Sequence, residues 1–318
     1  MPRHTGPMNA LVILFAAALA GCGEKSSSDT RDTARAPLAF SADHASNALD
    51  HVTALVTACT PRDAATPGAE RAATWLQERL AAQGLAPTLD RFTDPTPYGP
   101  KTFVNVLATI PGSGDEWILL LSHFDTMRGI GEGFQGANDS GSSTGLLLEL
   151  AATLNAAKPL KHNILCAFLD GEECMLGYSD RDGFHGSRHL AQTMKQQGKK
   201  IKAVILTDMI GDRDLKITIP RNCTPALRVL ALEAAEATGD RDKIGLFDGI
   251  IYDDHHPFFE KGYPAVDLID FYYGSRPGEN DYWHTTKDTV DKLSAESLLT
   301  TGRIVIEMLN RLERGAAE

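Results

Sequence analysis

The stretch "HNILCAFLDGEECM" at residues 162–175 joins an apolar run to two adjacent glutamates, Glu172 and Glu173. A short, continuously apolar run predicts a strand buried on both faces, as in the parallel sheets of α/β proteins. An acidic pair is most often solvated surface. This pair, however, directly follows a predicted inner strand, and open α/β sheets bind ligands outside the carboxyl ends of their strands. The stretch therefore predicts the fold class and the sheet edge at which chemistry is expected.

Strand and helix patterns alternate on both sides of this stretch. The predicted strands cover residues 102–110, 116–125, 162–170, 201–211 and 264–270. The predicted helices cover residues 46–59, 69–84, 143–157, 186–198, 225–238 and 294–312, the second of them closed by Gly84. We therefore expect one α/β domain at residues 40–318, with a mixed, mostly parallel central sheet flanked by helices.

Composition narrows the class of partner. The chain has 318 residues, of which 42% are hydrophobic and 23% charged, as is typical of a globular protein. Its net charge is -11, and the basic run "KQQGKKIK" at residues 195–202 is too short to form a basic face. Because phosphate binding needs clustered Lys and Arg, the sequence argues against a nucleic-acid partner.

The N-terminal residues have the layout of an export signal. A weakly basic start is followed by a short apolar stretch and small residues, and the stretch is too short to span a bilayer. The segment Leu19, Ala20, Gly21 and Cys22 resembles the bacterial lipobox, in which the cysteine is lipidated after cleavage. We therefore expect a signal peptide at 1–21 and a lipidated tether at 22–39. The alternative is an ordinary cleaved signal with a chance cysteine.

This layout also predicts the location of the protein. It implies an exported envelope lipoprotein that contacts the membrane through a lipid anchor on Cys22. The residue after Cys22 is Gly23, whereas an Asp at this position would resemble an inner-membrane retention signal. An outer-membrane protein facing the periplasm is therefore expected.

Four further cysteines, Cys59, Cys166, Cys174 and Cys223, lie outside the signal region. None forms a C-x-x-C pair, which argues against a cysteine-based zinc site. A domain of this size does not depend on disulfides. Cys166 lies inside an apolar strand and is interpreted as a small buried hydrophobic residue, whereas its pairing with Cys174 is left open.

Five polar motifs fall at predicted strand ends or loops. They are "SHFDTM" (122–127), "GANDSG" (136–141), "DGEE" (170–173), "TDMIGD" (207–212) and "YWHTTKD" (282–288). A single His at a strand end is usually a hydrogen-bonded structural residue. All five motifs together supply the oxygen and nitrogen ligands of a catalytic zinc site, which keeps one coordination position open. Asp125 is placed either to hold the imidazole of His123 or to cap the strand end.

With these motifs the chain resembles the zinc aminopeptidases of the bacterial leucyl aminopeptidase type and, more closely, the related glutaminyl cyclases. The resemblance covers residues 102–293 and is densest in "LDGEECMLGYSDRDGFHGSRHLA" at 169–191. It implies a zinc-dependent catalytic domain that acts on peptide or protein N-termini. It also implies which residues hold metal and which handle protons.

In the cyclases, the resemblance implies one Zn²⁺ held by Asp139, Glu173 and His284. In the peptidases, it implies two zinc ions bridged by Asp139, with His123 and Asp208 as additional ligands. Glu172 is the implied general base in the peptidases. Because adjacent residues emerge in different directions, Glu173 can bind metal while Glu172 faces the substrate.

The segment "IIYDDHHPF" at 250–258 leans toward the cyclases. The resemblance implies catalytic roles for Glu172, Asp208 and Asp253, the last two within one acidic network. It also implies a substrate pocket formed by Tyr178, Ile251 and Trp283. Tyr178 is a departure, since animal cyclases resemble one another in having Trp there. The loop at 270–281, with Tyr272 and Tyr273, is interpreted as either a lid or an exposed loop.

The favoured hypothesis is therefore a zinc-dependent glutaminyl-peptide cyclotransferase, an acyltransferase that converts N-terminal glutamine to pyroglutamate and releases ammonia. A two-zinc aminopeptidase of the same fold is the alternative. A noncatalytic envelope lipoprotein is a third hypothesis, against which the complete ligand set counts.

Overall fold

The computed structural model describes residues 36–315. The expected signal peptide and Cys22 lie outside these residues. Within the described range, seven α-helices form at Ala42–Cys59 (α1), Pro67–Ala82 (α2), Ser143–Ala156 (α3), His185–Gln196 (α4), Pro225–Thr238 (α5), His256–Glu260 (α6) and Ala295–Arg314 (α7). Eight strands form at Thr88–Asp94 (β1), Lys101–Ile110 (β2), Glu116–His123 (β3), Asn163–Leu169 (β4), Lys200–Asp208 (β5), Ile217–Ile219 (β6), Ile244–Leu246 (β7) and Ala265–Ile269 (β8).

The strands form one sheet in the order β1-β2-β4-β3-β5-β8-β6-β7. Four neighbouring pairs are parallel, namely β4/β3, β3/β5, β5/β8 and β6/β7, and the remaining three are antiparallel. This confirms the expected mixed, mostly parallel sheet. Because β4, β3, β5 and β8 run in the same direction, their carboxyl ends meet at one edge of the sheet.

Helices cover both faces of the central strands. Along β3, Ile118 and Leu120 pack into a core shared with α1, α2, α3, α5 and α7. Leu119 and Leu121 pack into a second core with α4 and α6. Alternate side chains of a strand point to opposite faces, so burial on both sides explains the unbroken apolar runs of β3 and β4.

Local signals in the sequence account for several helix ends. Ser41 accepts a hydrogen bond from the backbone N–H of His44 at the start of α1, and Thr66 caps α2 just before Pro67. Gly84 follows α2 with a φ of +77°, a conformation that favours glycine. Ser294 caps α7 by accepting a hydrogen bond from the N–H of Ser297. The residue predicted to begin this helix is therefore its N-cap.

The structure adds elements that the apolar patterns did not predict. β1 has the polar sequence "TLDRFTD" and pairs with β2 only, at the edge of the sheet. β6 and β7 have three residues each and α6 has five. An edge strand with no fully buried face and elements this short leave little periodic signal.

The four described cysteines are all buried and free. Cys166 lies in β4 with no exposed surface, as expected for a small hydrophobic residue. The pairing of Cys166 with Cys174 that the sequence left open does not occur. Near the start of the described chain, Leu38 is buried and bonds through its backbone to the side chain of Asn310. None of the helices in residues 36–315 is long and apolar enough to cross a membrane.

Candidate metal centre and active site

Two groups of possible ligands meet at the carboxyl edge of the sheet and share Asp139. In one group, Nε2 of His284 lies 3.0 Å from Oε1 of Glu173 and 3.2 Å from Oδ2 of Asp139. In the other group, Nε2 of His123 lies 3.2 Å from Oδ1 of Asp139 and 3.4 Å from Oδ1 of Asp208. The two oxygens of Asp139 therefore face different groups, the arrangement that a bridging carboxylate requires.

The donor set of the first group fits a zinc ion. Its ligand atoms, from Asp139, Glu173 and His284, all lie within 4.8 Å of one another, and both carboxylates are buried. Burial, followed by the nearby charge of Asp139, raises the pKa of Glu173 to about 7. Burial disfavours the charged form of His284, but hydrogen bonds to Asp139 and Glu173 outweigh it and raise the pKa of His284 to about 10. Two carboxylates this close together repel each other when both are ionised, and a divalent cation bound between them and the imidazole would offset that repulsion.

The backbone around Asp139 is held by a carboxylate that the sequence analysis did not single out. Asp139 lies in the irregular turn Ala137–Ser142, between β3 and α3. Asp288 accepts the backbone N–H of Asn138 at 2.7 Å and that of Asp139 at 3.1 Å. Tyr273 donates its hydroxyl proton to the same carboxylate at 2.8 Å. Asp288 therefore fixes the direction in which Asp139 enters the site.

Arg62 is a second residue that the sequence gave no reason to select. Its fully buried guanidinium donates to the backbone carbonyls of Phe124 and Gln135 at 2.6 Å each and to that of Gly136 at 2.5 Å. These carbonyls lie at the end of β3 and at the entry to the Asp139 turn. Arg62 thus ties together the two segments that carry His123 and Asp139, and no pattern around "TPRD" indicates this role.

Asp125 holds the backbone of the acidic pair and lies beside His123, whose Nδ1 has no hydrogen-bond partner among the described residues. Its two oxygens accept the backbone N–H groups of Glu172 and Glu173, each at 3.2 Å. Its Oδ1 also lies 3.5 Å from Nδ1 of His123. One buried carboxylate therefore holds the acidic pair and borders the imidazole at the ends of two parallel strands.

His284, which follows Trp283, has an uncommon backbone conformation. The φ of His284 is +52°, in the left-handed region that costs a non-glycine residue roughly 1 kcal/mol or more. The indole of Trp283 stacks on the imidazole at 4.0 Å between ring centroids, and it contacts Phe271 at 5.3 Å. The surrounding packing therefore holds the ligand and the pocket wall in one fixed arrangement.

A cavity of about 790 Å³ opens above these groups. It is lined by every residue for which the resemblance implied a catalytic or substrate role, namely Glu172, Asp208, Asp253, Tyr178, Ile251 and Trp283. Asp139 and His284 also reach it, whereas His123 and Glu173 lie beneath. The structure thus brings the expected site residues together around one space.

The tyrosine at position 178 makes hydrogen bonds that join the acidic pair. Its hydroxyl lies 3.3 Å from Oε2 of Glu172 and 3.2 Å from Oε2 of Glu173. Burial, together with the charges of these two glutamates, raises the pKa of Tyr178 well above its usual range. The phenol therefore stays protonated, and its single hydroxyl proton is donated to one of these two carboxylates at a time.

A cluster of buried carboxylates forms one side of the cavity. Asp253 lines the cavity, while Asp254, His255 and Asp267 lie behind it with no exposed surface. Burial, then repulsion from Asp267 and Asp208, raises the pKa of Asp253 well above its usual range. Oδ2 of Asp253 has no hydrogen-bond partner among the described residues. A carboxyl group in this setting favours the protonated form, which can donate a hydrogen bond.

The two tyrosines of the 270–281 loop have different surroundings. Tyr273 is fully buried and bonded to Asp288, so it supports the Asp139 turn. Tyr272 is 38% exposed but does not line the cavity above the metal groups. Neither tyrosine lines that cavity, whereas Phe271 of the same loop does.

Comparisons with known proteins identify relatives of this chain. The sequence model of peptidase family M28 matches residues 105–309. The glutaminyl-peptide cyclotransferase of Drosophila melanogaster is 29% identical over 227 residues, which cover 63% of this chain and 62% of the fly protein. The chain therefore spans less than two thirds of that relative's length.

Solved structures match over a larger share of their length. The glutaminyl cyclase of an Acidobacteriales bacterium superposes with a TM-score of 0.81 and 36% identity, covering 89% of this chain and 98% of that one. A Zn-dependent exopeptidase from Parabacteroides distasonis has the same fold, with a TM-score of 0.75 at 23% identity and coverage of 87% and 100%. The α/β architecture is thus common to cyclases and exopeptidases.

Proposed function

This chain belongs to peptidase family M28, in the branch that contains the glutaminyl cyclases, and from that membership we propose that it is a zinc-dependent glutaminyl-peptide cyclotransferase. The N-terminal amine of a glutaminyl peptide forms a bond to the side-chain carbonyl carbon. The bond from that carbon to the amide nitrogen breaks, and ammonia leaves. The observation that carries the proposal is the 36% identity to a bacterial glutaminyl cyclase over 98% of that chain.

The residues around the cavity divide this reaction among them. Zinc held by Asp139, Glu173 and His284 would polarise the side-chain carbonyl as a Lewis acid. Glu172 takes a proton from the attacking amine and delivers it to the departing amide nitrogen, which balances the reaction. Glu172 suits this role because it lines the cavity and does not belong to either ligand group.

The attacking group is part of the substrate, so positioning matters more than activation of water. Trp283 and Ile251 line the cavity together with Glu172 and offer apolar surface for positioning the substrate. Asp253, on the acidic side, shares a proton with its neighbouring carboxylates and can therefore both donate and accept a hydrogen bond toward the substrate. The peptide or protein N-terminus is therefore the proposed substrate.

A two-zinc aminopeptidase is the second candidate, and one observation favours it. His123, Asp139 and Asp208 form a complete second ligand group, with ligand atoms within 4.8 Å of one another. In that case Asp208 would hold metal, and Glu172 would activate a water molecule. The noncatalytic lipoprotein has less support, because both ligand groups and Glu172 are retained.

One assay separates these functions. Zinc-loaded protein is offered a Gln-initiated peptide and a Leu-initiated peptide, with zinc content measured by elemental analysis. Pyroglutamate and ammonia from the first peptide, with the second left intact, support the cyclase. Free leucine without pyroglutamate, from protein holding two zinc ions, would establish the peptidase. Neither product from zinc-loaded protein would favour the noncatalytic lipoprotein.

Asp253→Asn is expected to lower kcat for cyclisation by about 10- to 100-fold with zinc content unchanged. An amide keeps the shape but cannot share a proton within the acidic side of the cavity, and Asp253 is in neither ligand group. Steady-state kinetics with a Gln peptide check this result. Asp248→Asn, at an exposed aspartate of the same region, is the control. Wild-type turnover by Asp253→Asn would remove Asp253 from the mechanism.

We also propose that the protein is exported and anchored to the bacterial envelope through a lipid on Cys22, at the outer membrane facing the periplasm. The support is the sequence alone: the apolar stretch, the Leu19 to Cys22 segment and the polar residues after it. The catalytic domain would then be joined to the lipid anchor through the proposed tether at 22–39.

Cys22→Ser is expected to move the protein from the membrane fraction to the soluble fraction, because serine cannot be lipidated at this position. Cell fractionation followed by immunoblotting measures the shift, with total protein compared to control for expression. Continued membrane association of the Cys22→Ser protein would contradict the anchor.

A further inference from the structure

Lysines gather at the amino ends of the central parallel strands, the edge of the sheet opposite the metal groups. The connection after α3 brings Lys158 and Lys161 to this edge, and the end of α4 with the connection after it brings Lys195 and Lys199. Lys199 is partly buried and the other three are exposed. We call these four residues the lysine edge. The basic run at 195–202, too short by itself to form a basic face, is thus extended by a second connection.

The register of the strands places the two connections close together. Trp117 of β3 pairs with Asn163 of β4 on one side and with Ile201 of β5 on the other. Lys161 and Lys199 each precede the paired residue of their strand by two positions. Since neighbouring strands are about 4.8 Å apart, the two lysines project from strands roughly 10 Å apart. Both can therefore contact one anionic surface at the same time.

Two aromatic rings contact lysines of this edge. Nζ of Lys199 lies 4.1 Å from the ring centroid of Trp117, and Nζ of Lys195 lies 5.9 Å from that of Tyr263. Both rings are partly buried and pack against the core that contains α4. Trp and Tyr combine an apolar body with a polar tip, and beside lysines they are typical of surfaces that lie at the level of lipid headgroups.

The acidic side chains next to the lysine edge are engaged by other groups. Asp115 pairs with Lys200 at 2.5 Å. Nε2 of His162 lies 3.6 Å from Glu116, and its Nδ1 lies 2.8 Å from Glu313. Within the part of the chain that the structure describes, none of the four lysines of the edge forms an ion pair. Their ammonium groups are therefore available to a partner.

The chain enters the catalytic domain beside the same edge. Phe40 packs directly over Gly302 of α7, and Leu38 forms two backbone hydrogen bonds to the side chain of Asn310, further along that helix. Toward its N-terminus, the chain therefore runs along α7 in the direction of the C-terminal end of the helix. That end reaches the lysine edge, because Glu313 accepts a backbone N–H of the connection between α3 and β4 at 2.7 Å. The proposed tether thus joins the domain on the side of the lysine edge.

We propose that the lysine edge docks on the anionic phospholipid surface of the membrane to which the protein is anchored. The catalytic cavity then faces away from the membrane, because β3, with eight residues, separates the two edges by roughly 25 Å. The net charge of -11 permits this contact. The Debye length is only about 8 Å at physiological ionic strength, so the carboxylates around the cavity are screened from the membrane. The inference goes beyond the proposed catalysis and takes the choice of membrane from the proposed anchor.

The expected binding is weak without the anchor and effective with it. Each lysine near an anionic membrane strengthens binding roughly fivefold, so four lysines supply about 10²- to 10³-fold. Protein bound through the lysine edge alone would dissociate during washing, which agrees with the soluble fraction expected for Cys22→Ser. A tether holds the edge at a local concentration of roughly millimolar, which favours docking in the anchored protein.

Vesicle co-sedimentation tests the proposal on the full-length Cys22→Ser protein, so that no lipid anchor contributes. Vesicles of phosphatidylcholine alone are compared with vesicles that also contain phosphatidylglycerol, at low and at high NaCl. We expect binding to the phosphatidylglycerol vesicles that falls at least about tenfold at high salt, because a shorter Debye length screens exposed charges. Only this salt-dependent part is compared between variants, since insertion of the apolar stretch near the N-terminus does not depend on charge.

Lys161→Gln combined with Lys199→Gln should weaken the salt-dependent binding by about 10- to 30-fold and leave Tm unchanged. Lys101→Gln combined with Lys243→Gln is the matched control, because it removes the same charge from the carboxyl edge. Lys101 begins β2, which is antiparallel to β4, and Lys243 directly precedes β7, which runs opposite to β8. The control should bind as the wild type does.

Tryptophan fluorescence identifies the docked face. The chain has three tryptophans, and brominated phosphatidylglycerol quenches an indole that contacts the lipid. Trp117→Phe should remove the quenching seen with vesicles that contain this lipid. Trp75→Phe, which changes a partly buried tryptophan of α2, should keep it.

Several results would contradict the docked edge. They are equal binding to both kinds of vesicle, equal loss of binding in the two lysine pairs, and quenching that persists in Trp117→Phe. Retention of the protein on immobilised DNA but not on the vesicles would assign the edge to another polyanion and overturn the membrane contact. None of these measurements involves turnover, so their failure leaves the cyclase standing. An absence of pyroglutamate would likewise leave the docked edge standing.

Discussion

Replacement of Glu172 by glutamine is expected to lower kcat by about 10² to 10⁴ while the protein keeps its zinc. The amide matches the carboxylate in size but cannot accept a proton from the attacking amine. Glu172 lies outside both ligand groups, so its loss removes proton transfer and leaves the metal ligands in place. Kinetics with a Gln peptide and elemental analysis of the same preparation check both halves of this prediction.

Two further variants make this prediction specific. Glu132→Gln changes an exposed glutamate and should behave as wild type. Tyr178→Phe removes the hydroxyl that donates to Glu172 and Glu173, and should cost less than Glu172→Gln because the base itself remains. Full turnover by a zinc-loaded Glu172→Gln protein would show that another group carries the proton.

The sequence predicted the centre of the fold because buried parallel strands have a distinctive composition. β3, β4, β5 and β8 are mostly apolar on both faces and end at, or one residue before, a charged or polar residue, so each strand and its end could be located. Parallel strands place their ends at one edge, which brought His123, Glu173 and Asp208 into one neighbourhood. The identity of the metal groups came from the resemblance to a known family.

The supports of the site could not be found in the same way. Arg62 contacts carbonyls of residues 62 to 74 positions later, and Asp288 holds a turn about 150 positions earlier. Such contacts depend on the tertiary arrangement and leave no local periodicity. Tyr273 shows the same limit, since its loop was interpreted as either a lid or an exposed loop, and its side chain is buried against Asp288.

The directions of the Glu172 and Glu173 side chains depend on both the local sequence and tertiary contacts. Adjacent side chains point in different directions, so sequence alone permits separate roles for Glu172 and Glu173. Their actual directions depend on Asp125, which binds both backbone N–H groups, and on Tyr178, which binds both carboxylates. The sequence thus predicted the pair, and the tertiary contacts determine that Glu172 is the member that lines the cavity.

His284→Ala is expected to weaken zinc binding by at least about 100-fold, because a metal with one of three protein ligands removed keeps an incomplete shell. His284 contributes the nitrogen of its group, and alanine would leave Asp139 and Glu173 as two crowded, buried carboxylates. Competition with a chelating dye measures the affinity, and elemental analysis measures the content. Because ligand binding stabilises the folded state, the same variant should lose most of the rise in Tm that zinc gives the wild type.

His123→Ala is the matched variant, since it removes a histidine from the other ligand group. A one-zinc cyclase predicts that His123→Ala keeps one tightly bound zinc, whereas a two-zinc peptidase predicts a fall from two ions to one. His189→Ala controls for the loss of an imidazole elsewhere, because His189 pairs with Asp90, away from the site. If His284→Ala bound zinc as tightly as wild type, the ligand set of Asp139, Glu173 and His284 would be wrong, and the second group would have to hold the metal.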